Sequence, residues 1–107
     1  MSKFLFSYHG GGGMPEAEEE QAKLMAAWGE WYGANGAAFT DTGNPVAVSM
    51  TVGPDGTSEG GAANPVTGYA VVDAPDMAAA CAIAAACPIV TVEGGSVEVG
   101  ETFEVNM

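Results

Sequence analysis

The chain has 107 residues, of which 48% are hydrophobic and 15% are charged. One domain spanning residues 1–107 is expected at this length, and the large hydrophobic fraction excludes an intrinsically disordered chain. Two Lys/Arg residues against 14 Asp/Glu residues give a formal charge of −12, which excludes nucleic acid and the anionic membrane surface as partners and favours neutral or cationic small molecules.

Two features of the sequence predict a cytoplasmic protein. The N-terminus lacks the long apolar region of a secretory signal, and no stretch approaches the ~20 apolar residues that span a bilayer. Cys81 and Cys87 fall in one predicted helix, about 9 Å apart along its axis, which is too far for a disulfide. We expect two reduced core thiols, and the sequence predicts no metal site and no cofactor.

The chain opens with a predicted strand over residues 3–9. Its side chains alternate between two faces, and both faces carry apolar groups, which predicts cover on both sides of the sheet. Four glycines follow, Gly10 to Gly13. They lack the lysine and Ser/Thr that follow a phosphate-binding loop, so a flexible connection is predicted.

A helix is predicted to begin at Pro15, with glutamates in its first turn that complement the helix dipole. These glutamates are interpreted as a solvated first turn and not as a metal site. An aromatic stripe follows at spacings of three and four residues: Leu24, Met25, Trp28, Trp31 and Tyr32. Trp28 and Trp31 either pack in the core or line a ligand site together with Tyr8.

The middle of the chain predicts strands and turns. A short second strand is expected over residues 37–41, and residues 46–52 alternate as a half-buried strand. Pro54-Asp55-Gly56 is typical of a turn. Residues 57–64 are interpreted as a loop, either a mobile lid or a plain connection.

The last third of the chain predicts a strand, a helix and a final strand. Residues 66–73 form the third strand, Asp76 is a suitable N-cap for an alanine-rich helix ending at Cys87-Pro88, and residues 96–105 alternate as the last strand. This order is the βαββαβ pattern of ferredoxin-like α+β folds, in which an antiparallel sheet carries two helices on one face.

A homodimer is predicted from the residues and from a family resemblance. The low charged fraction, and a sheet face that two helices cannot cover, favour burial against a second copy. The chain also resembles the YCII-related family over nearly its whole length, on Phe4 to His9, Gly68 to Ala74, Cys87-Pro88 and Gly95 to Val99. The resemblance implies a ferredoxin-like protomer that pairs its sheet with a second copy, giving a dimeric α+β barrel with pockets near the sheet interface.

The same resemblance bears on catalysis. In the family, a histidine of the first helix paired with a later aspartate is the candidate acid/base couple. The first helix of this chain has no histidine, and the only histidine of the chain, His9, lies at the end of the first strand. The Asp-Gly-Pro-Phe motif of a large branch of the family is also missing.

Three classes of function follow from these observations. The predicted function is a homodimeric small-molecule-binding domain, with Tyr8, Trp28 and Trp31 as ligand-binding residues. The alternatives are a lyase- or hydrolase-like acid/base enzyme and a structural or regulatory dimer without a ligand. The enzyme hypothesis uses His9 as general acid or base and Asp41 as the carboxylate that orients it. Otherwise, His9 is exposed at a strand end and Asp41 begins a turn.

Overall fold

The chain forms two antiparallel sheets and three α-helices in the computed structural model, which describes residues 1–11, 15–61 and 63–105. The elements are β1 (Ser2–His9), α1 (Glu18–Ala34), β2 (Phe39–Asp41), β3 (Met50–Gly53), β4 (Gly56–Glu59), β5 (Val66–Ala74), α2 (Met77–Ala85), α3 (Pro88–Thr91) and β6 (Ser96–Glu101). A 3-10 turn, Gly36–Ala38, joins α1 to β2. Gly12 and Gly13 of the predicted glycine connection, and Ala62 of the predicted loop, lie outside the described residues.

The main sheet has four strands in the order β2-β5-β1-β6. Every neighbouring pair is antiparallel, and the central pair, β1 with β5, aligns Phe4 with Val72 and Phe6 with Ala70. Phe6 also lies opposite Val99 of β6. This α+β arrangement is compatible with the predicted ferredoxin-like fold.

The hydrophobic core lies on one face of this sheet, between the sheet and the helices. Strand alternation places Phe4, Phe6 and Val72 on that face, where each is fully buried. Ala80 of α2 has no exposed surface in the same cluster, because its small side chain lets the helix approach the sheet closely. On the opposite face Leu5 is 40% exposed, so the middle of that face is open to solvent in the described part of this chain.

Both long helices are held by specific hydrogen bonds. The Trp31 indole Nε1 of α1 donates to the Ile83 carbonyl oxygen of α2 at 2.9 Å, which joins the two helices. The predicted N-cap is confirmed, because the Asp76 carboxylate accepts from the Ala79 amide at 2.8 Å. Helix α1 begins at Glu18, three residues later than Pro15. No helix of the described segments is long and apolar enough to cross a membrane.

The prediction of a half-buried strand over residues 46–52 is wrong. Only Met50–Gly53 form a strand, and it pairs with Gly56–Glu59 in a separate two-stranded sheet. The Pro54-Asp55-Gly56 turn folds β3 back onto β4, so the hairpin projects from the main sheet and Val48 and Val52 are exposed. For the same reason, residues 57–59 are a strand and not part of a loop.

Two other boundaries differ from the prediction. The last strand ends at Glu101. Beyond it, among the described residues, only Thr102 still hydrogen-bonds to β1, through its amide and hydroxyl to the Lys3 carbonyl oxygen. The chain then leaves the sheet, and Phe103 is 85% exposed. The helical region after Asp76 is divided in two, since Pro88 has no backbone N–H to continue α2 and instead occupies the first turn of α3.

Truncation of Trp31 tests the packing of α1. We expect Trp31→Ala to lower the free energy of unfolding by about 3–5 kcal/mol, because it removes a buried indole and leaves a cavity. Urea denaturation measures the change. Met25→Ala, on an exposed position of the same helix, should cost about 0.5 kcal/mol or less. Equal, small losses for both variants would contradict the placement of Trp31 in the core.

Candidate functional site

A cavity of about 420 Å³ lies between α1, the ends of β1 and β5, and residues 42–45. It is partly open to solvent, and its lining is mostly apolar. The apolar wall consists of Tyr8, Leu24, Met25, Trp28, Tyr32 and Ile89. Small-molecule sites usually occupy about 300–1,000 Å³ and combine such a wall with a few polar groups, so this cavity has the size and composition of a ligand site.

Three aromatic rings form one side of the cavity. Trp28 and Tyr32 stand four residues apart on α1 and therefore share one face of the helix; their ring centres are 5.9 Å apart. Tyr8 comes from β1, and its ring meets Trp28 edge to face with the centres 5.7 Å apart. The contact between strand and helix thus places aromatic surface from both elements around one space.

One carboxylate, Glu93, faces the aromatic side chains. Its Oε2 accepts a hydrogen bond from the Trp28 indole Nε1 at 3.0 Å. The backbone fixes its position, because the Glu93 amide donates to the Pro88 carbonyl oxygen at 3.0 Å directly after α3. The described residues that line the cavity include no other carboxylate and no Lys, Arg or His. The polar end of the cavity is therefore negatively charged.

The Tyr8 hydroxyl is buried beside the cavity and has no hydrogen-bond partner among the described residues. Burial raises the pKa of Tyr8 far above its usual value, and the neighbouring Tyr32 and Cys87 raise it further. Tyr8 is therefore a neutral group whose hydroxyl has unused hydrogen-bonding capacity beside the cavity.

Two glycines keep the wall opposite α1 thin. Gly43 has φ +72°, and a Cβ there would overlap the Tyr69 carbonyl of β5. Gly68 lies opposite Pro45, and a Cβ at Gly68 would be 3.0 Å from the Tyr8 ring. Residues 42–45 therefore lie directly on β5, and larger side chains at either glycine would displace this wall.

His9, the predicted acid or base, does not line the cavity. It is buried at 8% exposure, and so the alternative of an exposed His9 is wrong. Its Nδ1 lies 2.9 Å from the Asn64 carbonyl oxygen and 3.3 Å from that of Pro65. A carbonyl can only accept, so Nδ1 carries a hydrogen and ties the end of β1 to the segment before β5. Nε2 is buried without a hydrogen-bond partner among the described residues.

The structure does not bring Asp41 to His9. His9 pairs with Val66 of β5 and Asp41 pairs with Val71, so the two positions are about 16 Å apart along that strand. Asp41 is exposed, and its Oδ1 accepts from the Gly43 amide at 2.8 Å, which is the turn geometry considered as the alternative. A catalytic role for His9 or Asp41 stays a prediction from the sequence.

The structure places the three predicted ligand-binding residues in two different environments. Tyr8 and Trp28 line the cavity, whereas Trp31 packs in the core and donates to a backbone carbonyl of α2. Sequence reasoning missed Glu93. Its one signal was its position, a single carboxylate between the apolar end of α3 and Gly94-Gly95, but many exposed carboxylates stand in such a place.

Replacement of Tyr8 tests whether its hydroxyl is unpaired. We expect Tyr8→Phe to leave the free energy of unfolding unchanged or to raise it by up to about 1 kcal/mol, because a buried polar group without a partner is costly and its removal costs little. Urea denaturation gives the comparison. A loss above ~1.5 kcal/mol would mean that the hydroxyl forms a stabilising hydrogen bond in the folded protein.

Comparison with known proteins does not identify a family for this chain. The chain matches no protein-family model and no curated protein. The resemblance to the YCII-related family stays an expectation from the sequence.

Proposed function

We propose that this protein is a small-molecule-binding domain that takes a neutral or cationic ligand into the cavity beside α1. The observation that carries the proposal is the cavity of about 420 Å³ with aromatic walls, a buried hydroxyl on Tyr8 and a carboxylate on Glu93. An apolar ligand surface would be transferred from water onto the rings, and the two polar groups would orient it.

The polar groups already present support a binding role. A buried hydroxyl without a partner reduces stability, whereas a ligand that draws the Tyr8 hydroxyl toward the cavity and hydrogen-bonds to it would remove that cost. Burial keeps Tyr8 neutral, since its pKa is raised, so it interacts with uncharged polar groups over the ordinary pH range. The charge of −12 and the absence of lysine or arginine from the described lining disfavour an anionic ligand.

The proposal includes a cytoplasmic homodimer built from βαββαβ protomers as a dimeric α+β barrel. Its support is the sheet face opposite the helices, where Leu5 is 40% exposed and lies directly opposite the half-buried Val71. An apolar pair that is open to solvent at the middle of a sheet favours contact with a second copy. A stable interface of this kind buries more than about 1,000 Å².

Ligand binding can be followed on the two tryptophans. In proton–nitrogen NMR spectra of the labelled protein, the indole N–H of Trp28 reports on the cavity and that of Trp31 reports on the core. We expect neutral or cationic fragments to shift the Trp28 resonance and to leave the Trp31 resonance in place. Trp28→Phe assigns the two signals. A fragment screen in which no compound shifts Trp28 more than Trp31 would contradict a ligand site in this cavity.

Sedimentation velocity tests the dimer. We expect a species of twice the 10.7 kDa chain mass over a wide concentration range, and Leu5→Glu should dissociate it because the variant places a charge in an apolar interface. Ala22→Glu, on the exposed side of α1, adds the same charge elsewhere and should leave the dimer intact. A strictly monomeric wild-type protein would contradict the proposed homodimer.

A further inference from the structure

We propose that the cavity selects an organic ammonium cation, with Glu93 as its charge partner and the rings of Trp28, Tyr8 and Tyr32 as the surface that contacts its alkyl groups. This inference rests on the proposed function, because it names the class of ligand for the same cavity. Three observations support it together: the negative charge of the lining, the Glu93 oxygen that accepts no hydrogen bond from the described residues, and the spacing of the rings.

Glu93 is placed to pair with a cation inside the cavity. Only one of its oxygens, Oε2, accepts the Trp28 indole N–H, and no hydrogen bond within the described residues uses Oε1. The side chain is half-buried, so solvent screens its charge less than that of an exposed carboxylate. A ligand cation would complete the pairing of a carboxylate whose hydrogen-bond partner among the described residues is a neutral N–H.

The lysines of the chain do not compete for this carboxylate. Lys3 lies 3.4 Å from Asp73 and Lys23 lies 3.6 Å from Glu20, and both lysines are exposed. Neither lines the cavity. Since the whole sequence has only these two Lys/Arg residues, Glu93 has no side-chain cation within the protein to neutralise it.

The rings suit the same class of ligand. A cation is attracted to the face of Trp or Tyr within about 6 Å of the ring centre. The Trp28 centre is 5.7 Å from that of Tyr8 and 5.9 Å from that of Tyr32, so one cation can lie within that range of two rings. Glu93 accepts from the N–H edge of the Trp28 indole, so a cation paired with Glu93 must extend past that edge to contact a ring face.

A test with three compounds of the same shape separates charge from size. Choline carries a positive charge. Neohexyl alcohol replaces its nitrogen by carbon and is neutral. The anion of tert-butylacetic acid, tert-butylacetate (3,3-dimethylbutanoate), has the same branched group and a negative charge. Titrations are followed on the Trp28 indole N–H of the full chain. We expect choline to bind about tenfold more tightly than neohexyl alcohol, tert-butylacetate to bind least, and the preference for choline to shrink as sodium chloride is added.

Two matched variants locate the selectivity. Glu93→Gln removes the charge while its amide oxygen can still accept the Trp28 N–H, and it should lower the affinity for choline to about that for neohexyl alcohol. Glu59→Gln changes the net charge equally on an exposed position of β4, outside the main sheet, and should keep the preference. A shift of the Trp28 resonance by neohexyl alcohol also shows that the Glu93→Gln cavity is folded.

The failures of the two proposals are distinct. If neohexyl alcohol or neutral fragments shift Trp28 as strongly as choline does, the cation inference is overturned and small-molecule binding stands. If choline selectivity survives in Glu93→Gln or is lost equally in Glu59→Gln, the attraction comes from the overall charge and the role of Glu93 is overturned. If no compound of any charge shifts Trp28, both proposals fail.

Discussion

The hydrogen bond from the Trp31 indole to the Ile83 carbonyl fixes the rotation of α1 against α2, and the cavity depends on that rotation. An α-helix turns by about 100° per residue, so residues three and four apart lie on adjacent parts of one surface. With Trp31 directed into the core, Trp28 must lie near its edge, where it meets Tyr8 and Glu93. One aromatic stripe therefore serves two purposes, since it anchors the helix and also lines a space that the core does not fill.

Local signals in the sequence predicted the elements around this core, and long-range contacts decided the rest. The alternation of β1, the strand at Val66–Ala74 and the Asp76 cap are local patterns, and the structure has all three. The alternation over residues 46–52 is equally regular, but a period of two residues shows only that a strand has two faces. Whether one face is buried depends on its partner, which here is the exposed strand β4.

The candidate site was less predictable than the fold because its parts are distant in sequence. Trp28 and Tyr8 were marked by residue type, and the structure places both at the cavity. Glu93 is 65 residues from the indole that it binds, and no spacing rule connects the two. Gly43 and Gly68 are similar cases. A side chain at Gly43 would overlap the Tyr69 carbonyl, and one at Gly68 would press on the Tyr8 ring, and both neighbours are distant in sequence. His9 attracted attention by its chemistry, yet its ring nitrogen is used to hold backbone in place.

Strand β1 separates the two surfaces that are proposed for interaction. Successive side chains of a strand point to opposite faces, so Tyr8 faces the helices and the cavity while Leu5 faces the uncovered side of the sheet. A ligand in the cavity and a second copy on the open face would therefore occupy opposite sides of the same strand. A direct route for coupling between them runs through the β1–β5 pairing, whose core-facing residues are buried, and protein interiors are close-packed and transmit strain. A change in oligomeric state with ligand bound would thus imply a shift of this strand pair.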